Sequence, residues 1–146
     1  MSTTTEARSE PAIMSGLLTT RTAAELAGRL FLVAIFLISG LGKIGAYSAT
    51  AAHMSSFGVP GALLPLVIGF EVIGALAIIA GWQTRIVAFL LTGFTLVAAA
   101  IFHSNFVDQV QVIHFLKNLS IAGGFMLLVA NGAGALSVDA RRRPIA

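Results

Sequence analysis

Arg29, Lys43, Glu71, Arg85, His103, Lys117 and Asn118 are the side chains of this sequence that could do chemistry in an apolar setting. They lie inside long hydrophobic runs or at their edges. A charge at the centre of a membrane span costs about 2.5–3.5 kcal/mol, so each such group calls for a partner or a task. An acid such as Glu71 can relay protons or pair with a cation. Lysines, histidines and asparagines at the edge of an apolar pocket can donate hydrogen bonds to the oxygens of a bound ligand.

Two more specialised chemistries can be weighed first. The run SGLGKIG, Ser39 to Gly45, resembles a phosphate-binding loop. That loop needs a glycine five positions before its Gly-Lys pair and a Ser or Thr directly after it. Leu37 and Ile44 occupy those positions, so the run is no nucleotide site. His53, His103 and His114 invite a metal or haem reading, but no carboxylate pair accompanies them at metal-ligand spacing. We read them as interfacial and solvated. The chain has no cysteine, which removes thiolate chemistry, cysteine zinc sites and iron–sulfur clusters from its own repertoire.

The elements that position these groups follow from composition. Of 146 residues, 57% are hydrophobic and 10% are charged; a soluble domain carries about 25% charged residues. Such a chain cannot cover its surface with polar groups, so its partner is the lipid bilayer. No basic patch interleaves with exposed aromatics, which argues against nucleic acid. Four apolar segments stand out, at about 24–41, 62–80, 86–102 and 115–130. Each approaches the ~20 residues needed to cross a hydrocarbon core. In lipid the backbone must satisfy itself, so the spans should be helices in an all-α, antiparallel four-helix membrane bundle.

Breakers separate the spans: GVPG at 58–61, AGWQTR at 80–85 and HSNFVDQVQ at 103–111. We expect a solvated tail over 1–22 without a cleaved signal peptide, a membrane domain over 23–134 and a basic tail over 135–146. Arg8, Arg21, Arg85 and Arg141 to Arg143 collect on the side holding both termini and the second loop. Positive charge favours the cytoplasm, so both termini should lie inside.

Depth and periodicity then suggest contacts. Arg29 sits ~8 Å and Glu71 ~14 Å from the inner ends of their spans, at 1.5 Å per residue, and an arginine can cover the difference. The expectation is a buried Arg29–Glu71 ion pair. Arg29, Val33, Phe36, Gly40 and Lys43 share one stripe of the first span. Thr92, Thr95, Ala99 and His103 share one on the third, and Lys117, Ser120, Gly124, Leu127 and Asn131 one on the fourth. Stripes of small and polar residues mark faces that meet other helices. Lys43 reads either as an interfacial anchor or as part of a polar site at the outer mouth with His103, Lys117 and Asn118.

GRLFLVAIFLISGLGKI followed by FEVIGALAIIAGWQTRIVAFLL resembles the DoxX family of small four-helix membrane proteins. The order of features carries the likeness. Arg29 stands near the start of the first span and Gly42-Lys43 near its end. Glu71 lies in the second span, with Gly81 and Arg85 after it. His103 ends the third span, FLKNLSIAGG opens the fourth, and a glycine-rich exit follows. The likeness extends over about 26–139. It implies a bacterial plasma membrane location and a link to quinone-dependent oxidation of sulfur compounds or to oxidative-stress assemblies. No family catalytic residue is carried over, and no cofactor is intrinsic to the chain. The resemblance therefore implies an accessory or anchoring subunit beside redox partner subunits, or a homo-oligomer, with quinone as the candidate ligand. The alternatives are a quinone-reducing oxidoreductase subunit in its own right and a small permease or proton conductor using Glu71.

Overall fold

The computed structural model describes the backbone of residues 10–142 and the side chains of residues 19–142. Among the described residues six α-helices follow one another: α1 (Glu10–Gly45), α2 (Tyr47–Ser56), α3 (Leu64–Ala80), α4 (Thr84–Phe102), α5 (Gln109–Asn131) and α6 (Val138–Arg141). Four of them are long and apolar enough to cross a membrane: α1 from Thr19, α3 with the 3₁₀ turn before it, α4 and α5. The expected all-α bundle is the observed one. α1 packs along α3 and α4 along α5; α3 also meets α4, whereas α1 touches α5 at few points.

Local chemistry sets the ends of these helices. Pro65 lies in the first turn of α3, where its missing N–H costs nothing. Gly81 ends α3 in the left-handed conformation (φ 68°), and its N–H bonds to the Ala77 and Ile78 carbonyls. Asp108 caps α5 by accepting from the Val110 amide. α5 therefore starts at Gln109, several residues before the apolar run that announced it. α2 was not anticipated at all; YSATAAHMSS is short and only weakly apolar.

Val33, Phe36, Ala75, Ile78, Ala88, Leu91 and Phe125 make the core. Phe36 and Phe125 meet edge to face with centroids 5.3 Å apart. Alanines at 75, 77, 88, 99 and 122 are buried, which lets the helices approach closely. Large apolar side chains face outward, Phe31 and Ile38 among them, as lipid contact requires. Thr92 and Thr95 are buried and return their hydroxyls to the carbonyls of Ala88 and Leu91 in their own helix.

The described parts of both terminal regions carry helix. α1 begins at Glu10, so residues 10–22 continue the first span as helix. Residues 135–142 fold back onto the α3–α4 turn, where the Asp139 amide donates to the Gly81 carbonyl. Residues 1–9 and 143–146, including Arg8 and Arg143, lie outside the described residues.

Candidate functional site

The buried face of α1 carries Arg29, Val33, Phe36 and Gly40, as the stripe predicted. Near the far end of that face, Lys43 donates to Ser39 Oγ at 2.5 Å and to both oxygens of Glu71 at 2.8 and 2.9 Å. An ammonium has three donors and no acceptor, so Lys43 is fully engaged. Gly40 makes the contact feasible. A Cβ there would stand 2.8 Å from Val72 Cγ2 and 3.3 Å from Glu71 Cβ, so only glycine lets α3 come this close. The Glu71 side chain is 7% exposed and that of Lys43 is 22% exposed. The carboxylate is sheltered while the lysine stem reaches towards the membrane interface.

Arg29 does not pair with Glu71, which corrects the expected ion pair. Its guanidinium donates to the carbonyls of Ile78 (3.3 Å) and Ile79 (3.2 Å) at the end of α3, and of Leu136 (2.5 Å). The physical reason is position along α3. Glu71 stands closer to the start of that helix, beside the end of α1 where Lys43 lies, while Arg29 stands beside the opposite end of α3. There the last carbonyls of the helix lack intrahelical donors and carry the negative end of its dipole. A cation capping them needs no carboxylate in contact.

The residues around Arg29 form a second cluster. A Cβ on Gly81 would stand 2.6 Å from Arg29 Nη1 and would collide with Ser137. Any side chain at Gly134 would collide with Glu25. Asp139 accepts from the Gln83 amide at 2.8 Å and the Thr84 amide at 2.9 Å, holding the turn in which Gln83 takes a positive φ of 47°. Burial alone would raise the Asp139 carboxyl, but the amide and side chain of Thr84, the Gln83 amide and the charge of Arg142 outweigh it and hold it below the usual range. Arg21 pairs with Glu25 at 2.9 Å. The exposed Arg85 has no hydrogen bond or ion pair among the described residues. A cavity of about 590 Å³ opens here, bounded by Arg21, Glu25, Thr84, Arg85 and Asp139.

The remaining expected site residues do not converge on one pocket with free donors. His103 Nδ1 shares a hydrogen bond with Gln111 Oε1 at 2.8 Å, and its ring stacks on His114 at 5.0 Å. Asn118 Nδ2 donates to the His114 carbonyl. His53 stacks on Phe102 and lies edge to face against Phe57. No cluster of metal-ligating residues forms among the described residues. Lys117 stands apart in a groove of about 550 Å³ between α1 and α5, lined by Phe31, Leu32, Ile35, Ile113 and Leu116. Of the proposed quinone-lining set, Lys117 alone combines a donor with an apolar groove.

The small and polar stripe of α5 also lies elsewhere than expected. Lys117, Ser120, Leu127 and Asn131 are exposed, and the stripe lines the shallow seam between α5 and α1. α5 instead buries Ala122 and Phe125. Sequence reasoning passed over Ser39, Gln111, Leu136 and Asp139. Ser39 was within reach, one turn before Lys43 on the same helix. Leu136 acts through its carbonyl, which has no side-chain signature.

Four apolar helices, with Arg29 and Glu71 turned into the bundle, define an integral membrane protein. The DoxX family model matches residues 24–104. Inner membrane protein YqjF of Escherichia coli (strain K12) is 47% identical over 114 residues, covering 78% of this chain and 88% of that protein. Inner membrane protein YphA of the same organism is 38% identical over 124 residues, covering 80% and 88%. The chain belongs to the DoxX family. No solved structure matches it.

Proposed function

We propose that the chain is an accessory or anchoring subunit of a membrane redox assembly, held in the bacterial inner membrane. One observation carries this reading: the buried charged side chains within the spans, Arg29 and Glu71, are engaged by the fold itself. Lys43 uses its three donors on Glu71 and Ser39, and Arg29 spans three backbone carbonyls. A bundle that satisfies its own buried charges suits a scaffold better than a catalyst. The two Escherichia coli relatives, both named as inner membrane proteins, support the location.

The orientation reading, with both termini cytoplasmic, draws support from Arg21, Arg85, Arg141 and Arg142, which lie at or beside the end that carries the termini. Lys43, the main positive charge of the opposite loops, is offset by Glu71. Reporter fusions at Ala146 and in the loop around His53 test this. Activity of a cytoplasmic reporter is expected at Ala146 only; the reverse pattern, or the same side for both, overturns it.

Quinone is the candidate ligand, and the groove beside Lys117 favours it over the set around Lys43. A quinone needs an apolar wall for its ring and tail and a donor for a ring oxygen. When bound it would supply electron and proton transfer. Lys117 would hold its oxygen, and Phe31, Leu32 and Ile35 its apolar body.

Purification in mild detergent, followed by mass spectrometry of co-purifying polypeptides and quinones, tests the whole reading. The expected result is a stoichiometric partner bearing flavin, haem or redox-active cysteines. Quinone reduction by the chain alone would assign an oxidoreductase instead. Isolation without partner or quinone, together with Glu71-dependent proton flux in vesicles, would assign transport. For the groove, Lys117→Met should lower quinone retention, and unchanged retention would remove Lys117 from the site.

A further inference from the structure

The end of the bundle that carries the termini has features the proposed role does not use. Beside the polar cavity of about 590 Å³ lies a second of about 500 Å³ between α1 and α5. The two share Arg21, Glu25, Asn131, Gly132 and Ala133 along their common wall. The first is bounded by charge. The second runs along the bundle as an apolar trench past Gly28, Leu32, Gly124, Leu127 and Leu128.

Arg29, 1% exposed, lines the trench, and its Nε has no partner among the described residues. Buried polar groups almost always have partners, so this atom marks a place where the polar lining is incomplete. The charges lining the two cavities select the sign of a guest: Arg21, Arg29 and Arg85 stand against Glu25 and Asp139, an excess of one positive charge. Glu25 is paired with Arg21, and the exposed Arg85 has no hydrogen bond or ion pair among the described residues. The trench is open because Gly28 lacks a side chain; a Cβ built there meets no atom within 4 Å.

We propose that these joined cavities bind one anionic glycerophospholipid, with its phosphate in the polar cavity beside Arg85 and an acyl chain along the Gly28–Leu32–Gly124 trench. A polar compartment continuous with an apolar one matches an amphiphile, and the free cation matches a headgroup of net negative charge. The thin contact between α1 and α5 then has a physical account, because lipid completes the packing that the helices leave undone.

The test uses the full chain in mild detergent and native mass spectrometry, with thermal unfolding measured in parallel. Dioleoyl phosphatidylglycerol, dioleoyl phosphatidylcholine and glycerol 3-phosphate serve as probes. One phosphatidylglycerol should remain bound per chain and raise the unfolding temperature, while phosphatidylcholine and glycerol 3-phosphate should do neither. Arg85→Gln should weaken retention about fivefold, the loss expected for one basic residue near an anionic headgroup. Gly28→Leu should weaken it by filling the trench. Arg85 is exposed and the Gly28 site is open, so neither change disturbs the core; Lys117→Gln, in the other groove, should retain lipid as the parent does. Equal retention of phosphatidylcholine, full effect of glycerol 3-phosphate alone, or unchanged retention in both Arg85→Gln and Gly28→Leu would overturn the proposal. So would a dimer that excludes phosphatidylglycerol by closing the trench with a second copy.

Discussion

The two ends of the bundle bury charge in opposite ways. At the loop end, Lys43 meets Glu71, and the pair is neutral and local to one helix–helix contact. At the other end Arg29 has no carboxylate in contact among the described residues and divides its donors among the carbonyls of Ile78, Ile79 and Leu136. An ion pair can be exchanged for apolar side chains of similar volume with little loss. A cation that caps a helix and ties down a second segment cannot, because its removal strands backbone groups that no substitution can delete. The comparison separates charge that is dispensable as a pair from charge that is built into the chain path.

The largest effect should come from Arg29→Leu. It strips the guanidinium donors from the Ile79 and Leu136 carbonyls, and from that of Ile78, which keeps the Gly81 amide, and we expect a loss near the upper end of the ~3–5 kcal/mol typical for breaking a buried charged contact. Unfolding followed in mild detergent measures it. Arg29→Lys should recover only part, since an ammonium cannot reproduce the guanidinium fork. At the loop end, Lys43→Met and Glu71→Leu should each cost nearer the lower end of that ~3–5 kcal/mol range, because the lysine reaches towards the interface. The double variant should recover most of the loss. If the two single losses add instead, Lys43 and Glu71 are not coupled and the contrast between the ends collapses.

The smallest effect is expected from Asp139→Asn, which weakens the hold on the Gln83 and Thr84 amides, at about 1 kcal/mol by analogy with a lost helix cap. Its pH dependence sharpens the comparison. The folded carboxyl lies below its usual range, so its stabilising contribution is present above the ordinary aspartate range and is lost as pH falls through the depressed value. Acid titration of stability should therefore be shallower in Asp139→Asn than in the parent. Identical titrations would remove Asp139 as the acid-sensitive tie of the C-terminal segment.

How much of this was legible depended on whether the information was one-dimensional. The four spans were readable because a run of apolar residues is itself the physical requirement for crossing lipid. The buried stripe of α1 was readable because 3.6-residue periodicity puts Arg29, Val33, Phe36 and Gly40 on one face. The partner of Glu71 was misread, although depth measured from both ends of α3 favours Lys43. Glu71 lies ~10 Å from the start of α3 and ~14 Å from its end at 1.5 Å per residue. The α5 stripe looked like a packing face because small residues permit close approach; they do not compel it. The capping role of Asp139 and the carbonyl of Leu136 had no pattern to reveal them, since contacts with backbone atoms leave no trace in residue type.

The Arg29–Leu136 contact has a consequence for the birth of the protein. Its partners are 107 residues apart in the chain. At ~5–20 residues per second, roughly 5–20 s separate the synthesis of one from the other. Throughout that interval the first span must reside in or beside the translocon with its arginine only partly satisfied, first by water and lipid headgroups and then by the end of α3. Final closure of this end of the bundle waits until Leu136 has left the ribosome. The order of translation thus leaves the end that carries the termini open longest, while Lys43 and Glu71, 28 residues apart, can meet as soon as the second span enters the bilayer.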